Sequence, residues 1–210
     1  RFEHDARMEG ESYMLEISAS GIRILAASEA GAYYAVQTLR QMLPACVDGG
    51  SRFRAWRLPE VTVRDGPRFA WRGVMLDCSR HFLPAAEVKR IIERIAALKF
   101  NRLHWHLTDD QGWRLQIRAY PELTDIGAWR GEGPARYGGF YTQEEVRDVV
   151  AFAREHHVVI VPEIDIPAHS TAAIASCPWL SCSGDSIAVA TEWGSSDRKS
   201  TRLNSSHVSQ

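Results

Sequence analysis

No apolar run in this sequence comes near the roughly 20 residues a bilayer-spanning helix needs, so no membrane span is expected. The first ten residues, Arg1 to Gly10, are charged and lack the apolar stretch of a secretory signal. A dominant charge is missing as well. The 25 Lys and Arg nearly balance the 26 Asp and Glu, and the formal net charge of −1 is spread along the chain. Nucleic-acid binding, which would call for a basic excess, is not expected. Cysteine is scarce: Cys46, Cys78, Cys177 and Cys182 show no CxxC spacing, which speaks against a structural zinc and leaves the redox compartment open. Internal repeats and low-complexity tracts are absent too. What is present, 45% apolar and 24% charged residues in 210, is an ordinary globular composition able to bury a core. Arg1 stands where an initiator methionine would, so the chain reads as a piece of a longer product.

Two strands, Tyr13 to Ser18 and Ile22 to Ala26, joined through Ser20-Gly21, predict a hairpin. Ala30 to Leu43 follows as a helix, with Tyr33, Val36, Leu39 and Leu43 on one stripe and Pro44 ending it. Ala45 to Pro67 lacks periodicity apart from Glu60 to Val63 and suits a connection, so a domain boundary is placed near Pro67. Beyond it strand and helix alternate: Trp71 to Leu76, the helix Pro84 to Leu98 with Val88, Ile91, Ile92, Ile95 and Leu98 inward, then Arg102 to Leu107. A long loop from Thr108 to Phe140 leads to a helix from Thr142 to His156, opened by a Thr142–Glu145 capping box. Val158 to Ile164, rich in β-branched residues, reads as a third strand buried on both faces. Strand–helix alternation is the parallel α/β signature, shared by barrels and open sheets. Polar residues cluster just past each strand: Asp77, Ser79 and Arg80, then Asp109 and Asp110, then Asp165 and His169. That recurrence favours a barrel, where all strand ends share one face.

The segment His104 to Trp113 carries the densest chemistry. On a strand His104 and His106 share a face, so they form either an HxH metal pair of a metal-dependent hydrolase or two hydrogen-bonded interior histidines. The second reading is preferred, because the later strand contributes only His169 and no bridging lysine. Asp109-Asp110 would be turn formers but for the aromatics around them: Trp105, Trp113, Tyr120, Trp129, Tyr137, Phe140 and Tyr141. Aromatic faces stack on sugars while carboxylates and arginine bind hydroxyls; packing of the loop is the plain alternative. Glu163 and Asp165 at a strand end imply a prepared polar site or structural ion pairs. A histidine beside Asp109 would be oriented and kept basic by that carboxylate.

Four motifs together resemble the β-N-acetylhexosaminidases of glycoside hydrolase family 20: Trp71 to Phe82, Asn101 to Trp113 (NRLHWHLTDDQGW), Tyr137 to Thr142 (YGGFYT) and Pro162 to Ser170 (PEIDIPAHS). Ala30 to Pro44 resembles the small α+β domain that precedes the barrel in that family. The resemblance covers roughly Glu11 to Gly184. It implies an α/β fold: an incomplete TIM (β/α)8 barrel, its first three strands only, in residues 67–196, preceded by a partial small α+β domain and linker in residues 1–66. It implies exo-hydrolysis of terminal N-acetylhexosamine from an oligosaccharide or glycan, by a substrate-assisted retaining route without metal or organic cofactor. Arg80 would bind the sugar hydroxyls, and Asp109 and His169 would form a relay supporting a catalytic Glu. A catalytically dead carbohydrate-binding relative is the other implied class. A periplasmic or secreted location is favoured by the same resemblance, with the compartment itself unassigned.

Two departures stand out. Ala168 replaces the family's usual glycine before His169, a strain if that backbone needs positive φ. The family's catalytic Asp-Glu pair has no counterpart, since no Asp in the chain is followed by Glu, and these 210 residues are expected to be inactive alone. The end, Asp197 to His207, can be spelled with codons resembling a sequencing-library adapter, so residues 197–210 are expected to be a non-native tail.

Overall fold

The structure is a computed structural model and describes residues 1–43, 57–182 and 184–192. Most of the expected connection before Glu60, together with Cys46 and the tail 197–210, lies outside the described residues. The chain divides into two units, residues 1–72 with 93–101, and residues 73–92 with 102–210.

In the first unit β1 (Phe2–His4), β2 (Tyr13–Ser18), β3 (Gly21–Ala26) and β4 (Val61–Asp65) make a sheet of order β1-β3-β2-β4. The predicted hairpin is β2–β3, with Ser18 opposite Gly21. Gly21 has φ +129°, a conformation that costs a residue without Cβ least. Tyr13, Leu15 and Ile17 alternate into the core as a half-buried strand requires. The helix α1 (Glu29–Met42) covers that face; its N-cap Ser28 accepts from Gly31 N at 3.1 Å. The expected stripe is rotated: Tyr34 and Ala35 are buried, Tyr33 and Leu39 pack at the margin, and Val36 is exposed. Helix spacing alone left two neighbouring faces eligible, and packing on β2 and β3 selected between them. The connection expected up to Pro67 is corrected too, since Val61–Asp65 is a strand antiparallel to β2. Residues 93–101 join this unit through Lys99, whose Nζ donates to Tyr13 Oη and Asp65 Oδ2, both at 2.8 Å.

The second unit holds β5 (Gly73–Asp77), the part of α2 (Ala85–Ala97) up to Ile92, and β6 (Arg102–His106). A hairpin of β7 (Thr108–Asp109) and β8 (Gly112–Trp113), a short helix α3 (Glu122–Asp125) and a ribbon of β9 (Trp129–Arg130) with β10 (Tyr137–Gly138) organise the expected long loop. Then come α4 (Gln143–Glu155), β11 (Val159–Glu163) and α5 (Thr171–Ser176). The capping box is present: Glu145 N donates to Thr142 Oγ1 at 3.1 Å and Thr142 N to Glu145 Oε2 at 2.8 Å. The three strands are parallel, order β11-β6-β5. Two expectations fail. Leu98 is 66% exposed because α2 ends at Ala97, and Val159 is 52% exposed, so β11 is not buried on both faces. Among the described residues β11 pairs only with β6, while β6, paired on both sides, buries Leu103 and Trp105.

Candidate functional site

Because β5, β6 and β11 are parallel, their register sets Asp77 beside His106 and His106 beside Glu163, a row across the C-terminal strand ends. His106, 3% exposed, has Nε2 at 3.0 Å from Asp109 Oδ2 and Nδ1 at 2.7 Å from Glu163 Oε2. Burial works against the charged imidazole, but Asp109 and Glu163 outweigh it and raise the His106 pKa above its ordinary value. The imidazolium can donate from both nitrogens. His104 faces the same way, as strand alternation predicts, and its Nε2 also meets Glu163 Oε2. Burial raises the Glu163 carboxyl and the two histidines lower it further, for a net depression.

The loop after β5 delivers Arg80. Asp77 Oδ1 accepts from Ser79 N and Arg80 N, both at 3.0 Å, which turns the chain back toward the sheet. Arg80 Nη1 donates to Asp77 Oδ2 at 2.8 Å, and Nη2 lies 2.5 Å from Asp109 Oδ2. Asp109 sits in the β7–β8 hairpin with its carboxylate divided. Its Oδ2 takes His106 and Arg80; its Oδ1 accepts from Asp110 N at 2.6 Å and lies 3.3 Å from His169 Nδ1. Burial disfavours its charge, yet the hydrogen bonds and the positive neighbours leave the Asp109 pKa lowered. Asp165 goes the other way, raised by burial and by the charges of Asp109 and Glu163.

His169 stands before α5 at φ +50°, so the left-handed conformation falls on His169 itself and Ala168 is spared it. Asp110 Oδ1 accepts from Thr171 N at 3.0 Å and Thr171 Oγ1 at 2.6 Å, tying the hairpin to the start of α5. Arg80, Asp109 and His169, chosen from three separate segments, thus converge on one carboxylate.

Other residues were not singled out in advance. Arg114, fully buried, donates to five carbonyls: Cys78 and Gly139 at 3.0 Å, Ser79 at 2.7 Å, Ala128 at 2.5 Å and Gln111 at 3.5 Å. It holds the residues just before Arg80 against the hairpin and the β9–β10 ribbon. Burial pulls its pKa down to about 10. A Cβ on Gly112 would stand 2.2 Å from Arg114 Nη2, so the glycine makes room for the guanidinium. The one signal for this role was Arg114 following Gly112-Trp113 in the motif. Of the aromatic set, Trp105, Trp113 and Tyr141 are buried core residues with their polar atoms bonded to Cys78 Sγ, Leu115 O and Leu83 O, which accords with the loop-packing alternative. Tyr120 and Tyr137 are exposed.

This parallel α/β unit gathers an arginine, carboxylates and a histidine past its strand ends, the side on which parallel α/β folds carry their sites. Residues 69–209 match glycosyl hydrolase family 20, catalytic domain, and residues 1–66 match domain 2 of the same family. The chain belongs to glycosyl hydrolase family 20. A beta-hexosaminidase of Vibrio furnissii is 47% identical over 180 residues, which are 80% of this chain and 28% of that protein. One from Porphyromonas gingivalis is 43% identical over 189 residues, 89% of this chain and 24% of that protein. The chain therefore spans about a quarter of the length of these relatives. A solved Streptomyces plicatus N-acetyl-beta-hexosaminidase in complex with Thio-NAglucal superposes with TM-score 0.83 at 43% identity, covering 88% of this chain and 37% of that one. A Vibrio harveyi exo beta-N-acetylglucosaminidase in complex with N-acetylglucosamine gives 0.78 at 44%, covering 86% and 29%.

Proposed function

We propose that these residues form the sugar-binding and supporting part of a β-N-acetylhexosaminidase active site, in the first three strands of a (β/α)8 barrel, with residues 1–66 as the preceding domain. The convergence of Arg80 and His169 on Asp109 carries the reading. Arg80, fixed by Asp77 and Asp109, is the group that binds the hydroxyls of a terminal N-acetylhexosamine. Asp109 Oδ1 faces the His169 imidazole at 3.3 Å and balances positive charge on it, so His169 can share a proton with an acidic group on its other side. In the substrate-assisted route the sugar's own acetamido oxygen attacks the anomeric carbon. A Glu protonates the leaving oxygen and the Asp before it orients the acetamide. That pair is not in these 210 residues, so the reaction is assigned to the longer protein of which this chain is a part.

Steady-state hydrolysis of p-nitrophenyl N-acetyl-β-glucosaminide by that longer protein tests the assignment. Arg80→Ala is expected to raise KM, and Asp109→Asn to lower kcat by about 10²-fold or more, the scale of a lost acid–base support. Undiminished kcat/KM in both variants would remove these residues from the mechanism.

A further inference from the structure

One buried atom stays idle in the arrangement above. Asp110 is 3% exposed and its Oδ1 is committed to Thr171, but its buried Oδ2 has no hydrogen-bond partner. His169 Nδ1 is buried and without a hydrogen-bond partner as well, at 3.3 Å from Asp109 Oδ1 and 3.7 Å from Asp110 Oδ2. One ligand atom from each of Asp109, Asp110 and His169 lies within 4.8 Å of the other two. The separations of 3.3 and 3.7 Å are long beside the roughly 2.7–3.2 Å usual for a hydrogen bond. They approach the edge of a tetrahedral zinc site, where ligand bonds of about 2.0–2.1 Å set neighbouring donor atoms about 3.3 Å apart.

Charge points the same way. Asp109 and Asp110 border His169, Asp165 lies within electrostatic reach of it, and Arg80 pairs with Asp109. Arg80 and His106 both occupy Oδ2 of Asp109, while Oδ1, which accepts from Asp110 N, also lies 3.3 Å from His169 Nδ1. A mixed imidazole and carboxylate set suits zinc better than calcium, which takes six to eight oxygens.

We propose that Asp109 Oδ1, Asp110 Oδ2 and His169 Nδ1 bind one zinc-type divalent cation, as an inhibitor and not as a cofactor. The cation takes the Nδ1 lone pair and the Asp109 oxygen that holds the ring, so His169 can no longer serve a proton relay. The inhibitory consequence rests on the function proposed above; the binding itself does not.

Calorimetric titration of zinc chloride into the 210-residue chain is the test, with histidine-ring resonances recorded on the same samples. One equivalent is expected to bind. Asp110→Asn, which keeps an oxygen for Thr171, and His169→Asn, which tolerates the left-handed backbone, should each weaken binding by more than about tenfold. His104→Gln should leave it unchanged. In the unsubstituted chain the His169 resonances should move on zinc addition. Absence of uptake, uptake indifferent to both Asn variants, or movement of the His104 resonances instead of those of His169 would each overturn the proposal. No sugar or turnover enters the experiment, so its failure leaves the hexosaminidase reading standing.

Discussion

His106 was legible as a residue of interest, but its partners were not. The HxH spacing put it on the face of His104, and only the register of three strands set it between Asp109 and Glu163. Its pKa is raised from 6.5, so the stabilisation it contributes is complete below that unfolded value and is lost as pH rises through the folded one. Asp109 has the opposite sign: lowered from 3.8, it contributes above that value and loses its contribution as pH falls through the depressed pKa. The urea midpoint of the chain should therefore fall as pH climbs above 6.5, and His106→Gln should flatten that limb; a wild-type profile already flat there would refute the assignment. Arg114 makes a sharper case. Its guanidinium serves five buried carbonyls, so Arg114→Met should cost about 3 kcal/mol or more in urea unfolding, from acceptors stranded without donors. Arginine in sequence reads as a surface cation, which is why this role was missed.

At the scale of elements, local rules succeeded wherever the determining contacts are local. The α4 capping box is made by residues three apart, and it stands as expected. Thr142→Ala should cost about 1 kcal/mol, measured by thermal or urea unfolding. The buried face of α1 was misjudged, because which neighbouring stripe turns inward is settled by the sheet beneath it. Gly31 records that contact: an added Cβ would lie 2.7 Å from Ser12 O. Gly31→Ala should therefore destabilise the chain, although alanine in a free helix would gain about 1 kcal/mol over glycine. A gain in stability would show that α1 is not held this closely. β4 was placed within a connection although Glu60 to Val63 stood apart from its lack of periodicity, and its strand character comes from pairing with β2, distant in sequence.

Across the whole molecule, the 210 residues bring an arginine, a carboxylate and a histidine together but carry no Asp-Glu pair. Incubated alone with a chromogenic N-acetylglucosaminide, the chain should show no turnover above background; measurable hydrolysis would mean that the acid lies among these residues. Composition, strand–helix alternation and four motifs in register were enough to indicate the α/β class and the family, since these depend on local periodicity and on residue order. The sequence also named Arg80, Asp109 and His169. Their distances, the division of Asp109 between Arg80, His106 and His169, the idle oxygen of Asp110 and the buried grip of Arg114 came only with the tertiary structure. Each depends on side chains tens of residues apart, and where such groups meet is set by strand register and packing, which no local pattern encodes.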